Sequence, residues 1–246
     1  MSKCKKRIIS SMLALALCAP AMAGQGGAFV GIGGIFGFAG DNKLSDHNGS
    51  FNNYEKFNSL GGGGEVLAGY KFFFTDWIGL RGGLNVDYQA VFFENLGGVT
   101  SVTDGMALLL NASLMLDLLL AIPSSGSFSF GGFVGVYGGF DYWHGPLMNQ
   151  LNDEQINQGF KPISFFGSFG MNLGLILGFG KSHSIEVAGK IPFIDNKIFN
   201  LDGQHWLPGA GGGGGVGGAN LSNNLAFKRP YTIGIRYVYS FVSGGE

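Results

Sequence analysis

Eight charged residues occupy alternating positions inside otherwise apolar or glycine-rich segments of the chain. They are Glu65, Lys71, Arg81, Asp87, Asp117, Glu186, Lys190 and Arg236. Four are acidic and four are basic, and a charge enclosed away from water is costly unless it is paired. We therefore expect these side chains to pair with one another in a polar network. Arg81, Asp117 and Glu186 are expected to share one part of this network with Arg236.

The run His183-Ser184-Ile185-Glu186 contains the residue types of a hydrolase: a serine, a base and an acid. Adjacent side chains of a β-strand point to opposite faces, which separates His183 from Ser184. Serine activation requires the nucleophile and its base within hydrogen-bond reach of each other. The spacing therefore argues against catalysis, and no catalytic residue is predicted.

The remaining candidate motifs do not indicate a metal site, a cofactor site or a phosphate-binding loop. His47, His144 and His205 are not spaced as metal ligands, so neither a metal nor another cofactor is predicted. The glycine-rich stretch Gly209–Gly218 is not a phosphate-binding loop, because no Lys-Ser/Thr pair follows it. Its composition is typical of a flexible surface segment.

The charges lie in segments that alternate with a period of two, which predicts β-strands. The last segment shows the pattern best. Its apolar face consists of Tyr231, Ile233, Ile235, Tyr237, Tyr239 and Phe241, whereas mostly small or polar residues face the other way. Eight strands are predicted: Ala28–Phe38, Glu65–Phe74, 77–92, Met106–Ile122, Phe128–Tyr142, Ser164–Phe179, His183–Ile191 and Tyr231–Phe241.

Met106–Ile122 also has the hydrophobicity of a buried helix. Its polar residues, Asn111, Ser113 and Asp117, all have odd numbers. In a strand they share one face, whereas a helix would place them on different sides of its apolar surface. The pattern therefore favours a strand.

Strands that are apolar on one face and polar on the other fit a barrel with lipid outside and a filled lumen inside. Short and long connections alternate, as in outer-membrane barrels, and a sheet edge cannot remain unpaired in hydrocarbon. We predict an all-β, closed, up-and-down transmembrane barrel of eight antiparallel strands. Both termini are expected in the periplasm, with extracellular loops near 39–64, 93–104, 143–163 and 192–230. A soluble β-sandwich is disfavoured because its outward faces would be polar.

Residues 1–23 resemble a signal peptide, with a basic start, an apolar stretch and Ala21-Met22-Ala23 before the cleavage site. A lipoprotein alternative through Cys18 is disfavoured by the bulky Leu17. Cleavage removes both cysteines and four basic residues, leaving 11 basic against 16 acidic residues, a net charge of −5. The barrel domain is then 24–246, and nucleic-acid binding is not expected because no basic stripe remains.

Several blocks of the sequence resemble the Helicobacter outer-membrane protein family, which includes the Hop-type porins and adhesins. They are Gly69-Tyr70-Lys71-Phe72-Phe73 before Gly79-Leu80-Arg81, Phe133-Val134-Gly135, His183-Ser184-Ile185-Glu186 leading to Lys190-Ile191-Pro192, and Arg229-Pro230-Tyr231 leading to Tyr237-Val238-Tyr239-Ser240-Phe241. The resemblance implies an eight-stranded barrel that matches the membrane domain of the family. It does not extend to the cysteine-bearing head of the large adhesins, so adhesion by such a head is not implied.

Because eight strands enclose a lumen that side chains just fill, the first hypothesis is a plugged barrel that acts as a structural or surface-interaction protein through its loops. The second is a narrow porin-like channel for small solutes, and the third is a lipid-modifying enzyme. The expected partners are outer-membrane lipid and lipopolysaccharide, the barrel-assembly machinery that reads the last strand, and a host or extracellular ligand at the loops.

Overall fold

The computed structural model describes residues 26–45, 55–94, 104–122, 128–152, 162–198 and 224–242. The elements are β1 (Gly27–Ser45), β2 (Glu55–Phe73), β3 (Ile78–Glu94), β4 (Asp104–Ile122), β5 (Phe128–His144), α1 (Pro146–Leu151), β6 (Phe165–Phe179), β7 (His183–Pro192), β8 (Asn196–Lys197), β9 (Asn224–Phe227) and β10 (Tyr231–Val242). The predicted signal peptide and the glycine-rich stretch lie outside these ranges.

Strands β1 to β7 and β10 form one antiparallel sheet that closes on itself where β10 pairs with β1. This confirms the predicted closed barrel of eight antiparallel strands. At most five residues join β2 to β3, β4 to β5 and β6 to β7. We call the end of the barrel with these connections the turn end, and the opposite end the loop end.

The stagger of the strands sets the width of the barrel. The shear number is found by starting at Gly27 and moving from each residue to its paired residue on the next strand. This path passes through Lys71, Arg81, Asp117, Gly135, Asn172, Lys190 and Thr232. The path returns to β1 at Gly37, ten residues beyond its start, so the shear number is 10. With normal strand spacing, this shear gives a tilt of about 43° and a backbone radius of about 8 Å. Such an interior has room for side chains and little else.

The strands are longer at the loop end than the sequence pattern predicts. β1 continues to Ser45 and β2 begins at Glu55, so most of the predicted 39–64 loop belongs to strands. β3 extends to Glu94 and β4 begins at Asp104, at the edges of the predicted 93–104 loop. The pattern ended early because a strand beyond the lipid needs no apolar outer face, although its backbone pairing continues.

Two other predicted connections also contain regular structure. Residues 143–163 include the end of β5 and the short helix α1, and 192–230 includes β8 and β9. β9 pairs with β1 in the same register as β10, since Lys43 is opposite Ala226 and Phe38 is opposite Tyr231. The last strand is therefore longer than predicted, and only residues 228–230 interrupt it. Pro230 lies in this interruption, where its missing backbone N–H breaks the ladder.

The outer surface is apolar and the inner surface is mixed, as a lipid-embedded barrel requires. In β4, Leu114 is 70% exposed, whereas the adjacent Ser113 and Met115 are 2% and 5% exposed. The strand interpretation of Met106–Ile122 is thereby confirmed. None of the helices in the described ranges is long and apolar enough to cross a membrane.

Glycine on the inner face makes room for the lumen side chains, and neighbouring residues in β1 show the contrast. A Cβ atom at Gly33 would lie 2.6 Å from the Cβ of Arg236 and 2.7 Å from the carbonyl oxygen of Ile235. A Cβ at the next residue, Gly34, would face outward with its nearest neighbour 4.0 Å away. The inner wall therefore accepts only glycine at position 33, while position 34 tolerates a side chain.

We predict that Gly33→Ala lowers the free energy of unfolding by about 1–3 kcal/mol, because the added methyl group overlaps the β10 backbone. The matched control, Gly34→Ala, should remain within about 0.5 kcal/mol of the original chain. Urea-induced unfolding of the refolded barrel in lipid vesicles measures both values. Equal stabilities for the two variants would show that the inner face is not tightly packed.

Candidate functional site

The eight charged residues predicted to face inward are all buried inside the barrel. They are Glu65, Lys71, Arg81, Asp87, Asp117, Glu186, Lys190 and Arg236. Most come from β2, β3 and β7, which contribute two each, whereas β1 contributes none. The structure therefore gathers acids and bases from five strands into one enclosed volume, where only pairing offsets the loss of water.

In the turn-end half of the lumen, the ion pairs are short. The Arg81 guanidinium donates to Asp117 Oδ2 and to both carboxylate oxygens of Glu186, at 2.8–2.9 Å. The Arg236 Nε atom donates to Glu186 Oε2 at 2.9 Å, so Glu186 lies between two guanidinium groups. Three of these four side chains have no exposed surface and Arg236 is 3% exposed, which makes this the tightest part of the network.

The network continues toward the loop end through contacts that are longer with one exception, the pair Lys190–Asp87. Arg236 Nη1 lies 3.7 Å from Glu65 Oε1, and Glu65 Oε2 lies 4.0 Å from the ammonium nitrogen of Lys190. That nitrogen also lies 2.6 Å from Asp87 Oδ2. From there Arg229 completes the path, with Nη2 3.7 Å from Asp87 and Nε 3.5 Å from Asp141.

Taken in contact order, these nine groups alternate strictly between acid and base. The order is Asp117, Arg81, Glu186, Arg236, Glu65, Lys190, Asp87, Arg229 and Asp141. We call this series the charge ladder. Each interior member has opposite charges on both sides, so no like charges are forced together along its length.

Two members of the ladder, Asp141 and Arg229, were missed by the sequence analysis. Asp141 has the inward parity of β5, so the period-two pattern contained the signal needed to find it. Arg229 falls in the predicted 192–230 connection, where the alternation has already ended. Its position follows from the extension of the last strand through β9, which the apolar pattern does not reveal.

Neutral polar side chains form additional hydrogen bonds with the charged groups of the ladder. Asn111 and Asn196 donate to the two oxygens of Asp141, at 2.8 Å and 3.2 Å. Asn85 donates to Glu65 at 2.8 Å and accepts from Lys190. Arg229 donates to the Tyr137 hydroxyl at 3.0 Å and to the Ser168 hydroxyl at 2.6 Å. Such support matters because a buried charge needs hydrogen bonds as well as a counterion.

Lys71 is the predicted inward charge that lies outside the ladder. Its ammonium nitrogen is 3.2 Å from the Ser240 hydroxyl and 5.3 Å from the ring centroid of Phe29. In the described part of the chain, no carboxylate lies within 4.0 Å of it. It is a buried base whose contacts are a hydroxyl and an aromatic face.

A cluster of apolar side chains occupies the lumen at the loop end, above the ladder. Its members, which we call the apolar cap, are Val91, Phe93, Ala107, Leu109, Trp143, Leu147, Met148, Ile198 and Phe227. The rings of Phe93 and Phe227 stack with centroids 4.4 Å apart. Leu147 and Met148 belong to α1, which therefore lies against the mouth of the barrel. Gly105 in β4 makes room for Leu147, since a Cβ there would lie 2.7 Å from it.

The predicted assembly-signal strand corresponds to β10, which is paired on both sides, with β7 and β1. Its residues Tyr231, Ile233, Ile235, Tyr237, Tyr239 and Phe241 point away from the lumen and are exposed or half-buried. The barrel closes along this strand.

His183 and Ser184 point to opposite faces of β7. The His183 Nδ1 atom lies 2.5 Å from the Tyr237 hydroxyl on the outer surface, while Ser184 is buried in the lumen. His144 also lies on the outer side, 3.1 Å from the Tyr88 hydroxyl. No group of three or more His, Cys, Asp and Glu residues is arranged to hold a metal ion in the ranges described here.

A closed barrel with an apolar outer face and a polar, ion-paired interior defines the class of outer-membrane β-barrels. The family model for the Helicobacter outer membrane protein matches residues 65–241, and the chain belongs to this family. The crystal structure of the outer membrane protein OprG from Pseudomonas aeruginosa is similar in fold, with a TM-score of 0.50 and 13% sequence identity. The similarity covers 91% of this chain and 100% of OprG. Comparison with curated proteins finds no match.

We predict that Arg81→Met lowers the free energy of unfolding by about 3–5 kcal/mol, because it leaves two buried carboxylates without their shared partner. The control is Lys181→Met, which removes an exposed lysine from the turn between β6 and β7 and should leave stability unchanged. Fluorescence of the buried Trp143 during urea unfolding in vesicles is a suitable readout. A loss below about 1 kcal/mol for Arg81→Met would show that the ion pairs contribute little.

Proposed function

We propose that the protein is a plugged outer-membrane barrel that holds its long connections at the cell surface and does not conduct solutes. The observation that carries this proposal is that side chains cross the lumen and cover it at the loop end. Side chains of the charge ladder cross the interior, and the apolar cap covers it at the loop end. Structural support and surface interaction are then the roles left to the loop end.

The ladder opposes ion passage because its charges are already neutralised by each other. A permeating ion would have to separate a pair such as Arg81 and Glu186, whose atoms are 2.8 Å apart. Breaking a buried pair without replacing it costs about 3–5 kcal/mol. Beyond the ladder, the same ion would have to cross the apolar cap without water, which is costly in itself.

In the orientation that we propose, the turn end faces the periplasm and the loop end faces the medium. Outer-membrane barrels have short periplasmic turns and long outer loops, and this chain has the same asymmetry. The apolar outer face would contact lipid and lipopolysaccharide. β10, with its aromatic and aliphatic outer residues, is the segment we assign to recognition by the barrel-assembly machinery. A host or extracellular ligand would bind at the loop end.

We predict that the chain without its signal peptide, refolded into a planar bilayer, gives no regular conductance steps. Arg81→Ala should also remain silent, because the apolar cap still closes the lumen. Protease protection of the inserted barrel confirms that silence is not a failure of insertion, and a porin in the same bilayer calibrates the recording.

Regular steps from the original chain, changed in size by Arg81→Ala, would contradict the proposal. They would instead establish a narrow channel with Arg81 at its constriction.

A further inference from the structure

The turn-end half of the lumen carries an excess positive charge. It contains three bases, Lys71, Arg81 and Arg236, but only two carboxylates, Asp117 and Glu186. Both carboxylates are engaged by the two arginines at 2.8 Å. Lys71 therefore has no carboxylate of its own, unlike the four bases of the ladder.

The groups that contact the Lys71 ammonium are neutral, and the Ser240 hydroxyl accepts a hydrogen bond from it. The ammonium nitrogen lies 3.2 Å from the Ser240 hydroxyl, and the Phe29 ring borders its other side. The hydroxyl of Ser184 on the adjacent strand β7 is buried, and no hydrogen-bond partner is found for it within the described ranges. A buried hydroxyl without a partner is unusual in a folded protein, which makes it a pointer to a missing group.

The pairing of β7 with β10 places Ser184 and Ser240 on the same inward face. Ser184 is opposite Val238, and Ser240 lies two residues further along β10 toward the turn end. Such diagonal neighbours are separated by about 7–8 Å, a gap that one oxyanion can bridge by accepting from both hydroxyls. Lys71 reaches the same corner through its contact with Ser240.

This corner lies at the turn end of the lumen, where the Lys71, Ser184 and Ser240 side chains are buried but 6–8% exposed. Lys71 is two residues from the end of β2, and Ser240 is two residues from the end of β10. A separate cluster of apolar residues also lies in the lumen: Leu119, Phe133, Ala188, Phe73 and Ile176. The polar corner is thus the part of this end that suits a charged group.

We propose that Lys71, Ser184 and Ser240 form a binding site for one phosphate group that enters the lumen from the turn end. Lysine binds phosphate as a point charge, and the two hydroxyls supply further donors for a tetrahedral anion with several acceptor oxygens. Above the site, Arg81 and its two carboxylates close the lumen, so the phosphate is held there and is not passed through. The phosphate can be a free ion or the headgroup of a phospholipid.

Backbone amide shifts in NMR spectra of the refolded chain test this site. The barrel is prepared in maltoside micelles, which contain no phosphate, and is titrated separately with inorganic phosphate and with short-chain phosphatidylglycerol. Saturable shifts at residues 71, 184 and 240 are expected with at least one probe. Saturation by inorganic phosphate identifies a free-ion site, and saturation by the lipid alone identifies a headgroup site.

The variants distinguish a specific binding site from nonspecific electrostatic attraction of anions. Lys71→Met should weaken binding at least tenfold and Ser184→Ala several-fold, whereas Lys181→Met, at the same end of the barrel, should leave the affinity unchanged. Absence of saturable shifts with both probes, or equal affinity in Lys71→Met, would overturn the proposal. If Lys71→Met does not fold, Ser184→Ala decides instead, because it leaves every ion pair intact. An unchanged affinity in that variant would equally overturn the site.

Discussion

The cost of an unpaired charge in a narrow, closed lumen is the constraint on which the rest of this barrel depends. Eight strands with a shear number of 10 leave an interior that side chains fill, so a charge placed there has little water to solvate it. The chain meets this constraint with an alternating series of acids and bases. Arg229 lies between β9 and β10, outside the regular strands. It belongs to the series because Asp87 and Asp141 need a base between them.

Room for the ladder comes from the glycines on the facing walls. Between residues 27 and 39, the part of β1 whose side chains are described, the strand lines the lumen mainly with glycine and supplies no charge, which leaves space for long side chains from β2 and β10. Gly135 in β5 has the same role beside Asp117, since a Cβ there would overlap the Asp117 carboxylate. On the inner faces of the described strands, glycine thus makes it possible to pack large polar side chains into a small barrel.

Much of the architecture follows from the period-two pattern. The pattern identifies the strands and assigns the eight predicted charged residues to the lumen, because alternation along a strand is a local property of the backbone. The pairing of individual charged side chains is not a local property. Arg81 contacts Glu186 across the lumen, and this contact depends on the stagger of all eight strands. Arg229 and the helix α1 lie beyond the lipid-facing pattern, where the sequence carries no comparable signal.

The side chains inside the lumen differ between the two ends of the barrel. The ion pairs around Glu186 in the turn-end half are all short, whereas those toward Arg229 and Asp141 range from 2.6 to 4.0 Å. Apolar side chains occupy the lumen at the loop end, beyond Arg229 and Asp141. The charge ladder and the apolar cap thus occupy different parts of the lumen.

A double-mutant cycle between Arg81 and Glu186 would show whether the ladder acts as a connected unit. The unfolding free energies of Arg81→Met, Glu186→Leu and the double variant are compared with that of the original chain in the same vesicles. If the ladder stabilises the barrel by direct pairing, the double variant is less destabilised than the sum of the single variants, by about 1–3 kcal/mol. Additivity within about 0.5 kcal/mol would contradict this, because it would mean that the two side chains do not depend on each other.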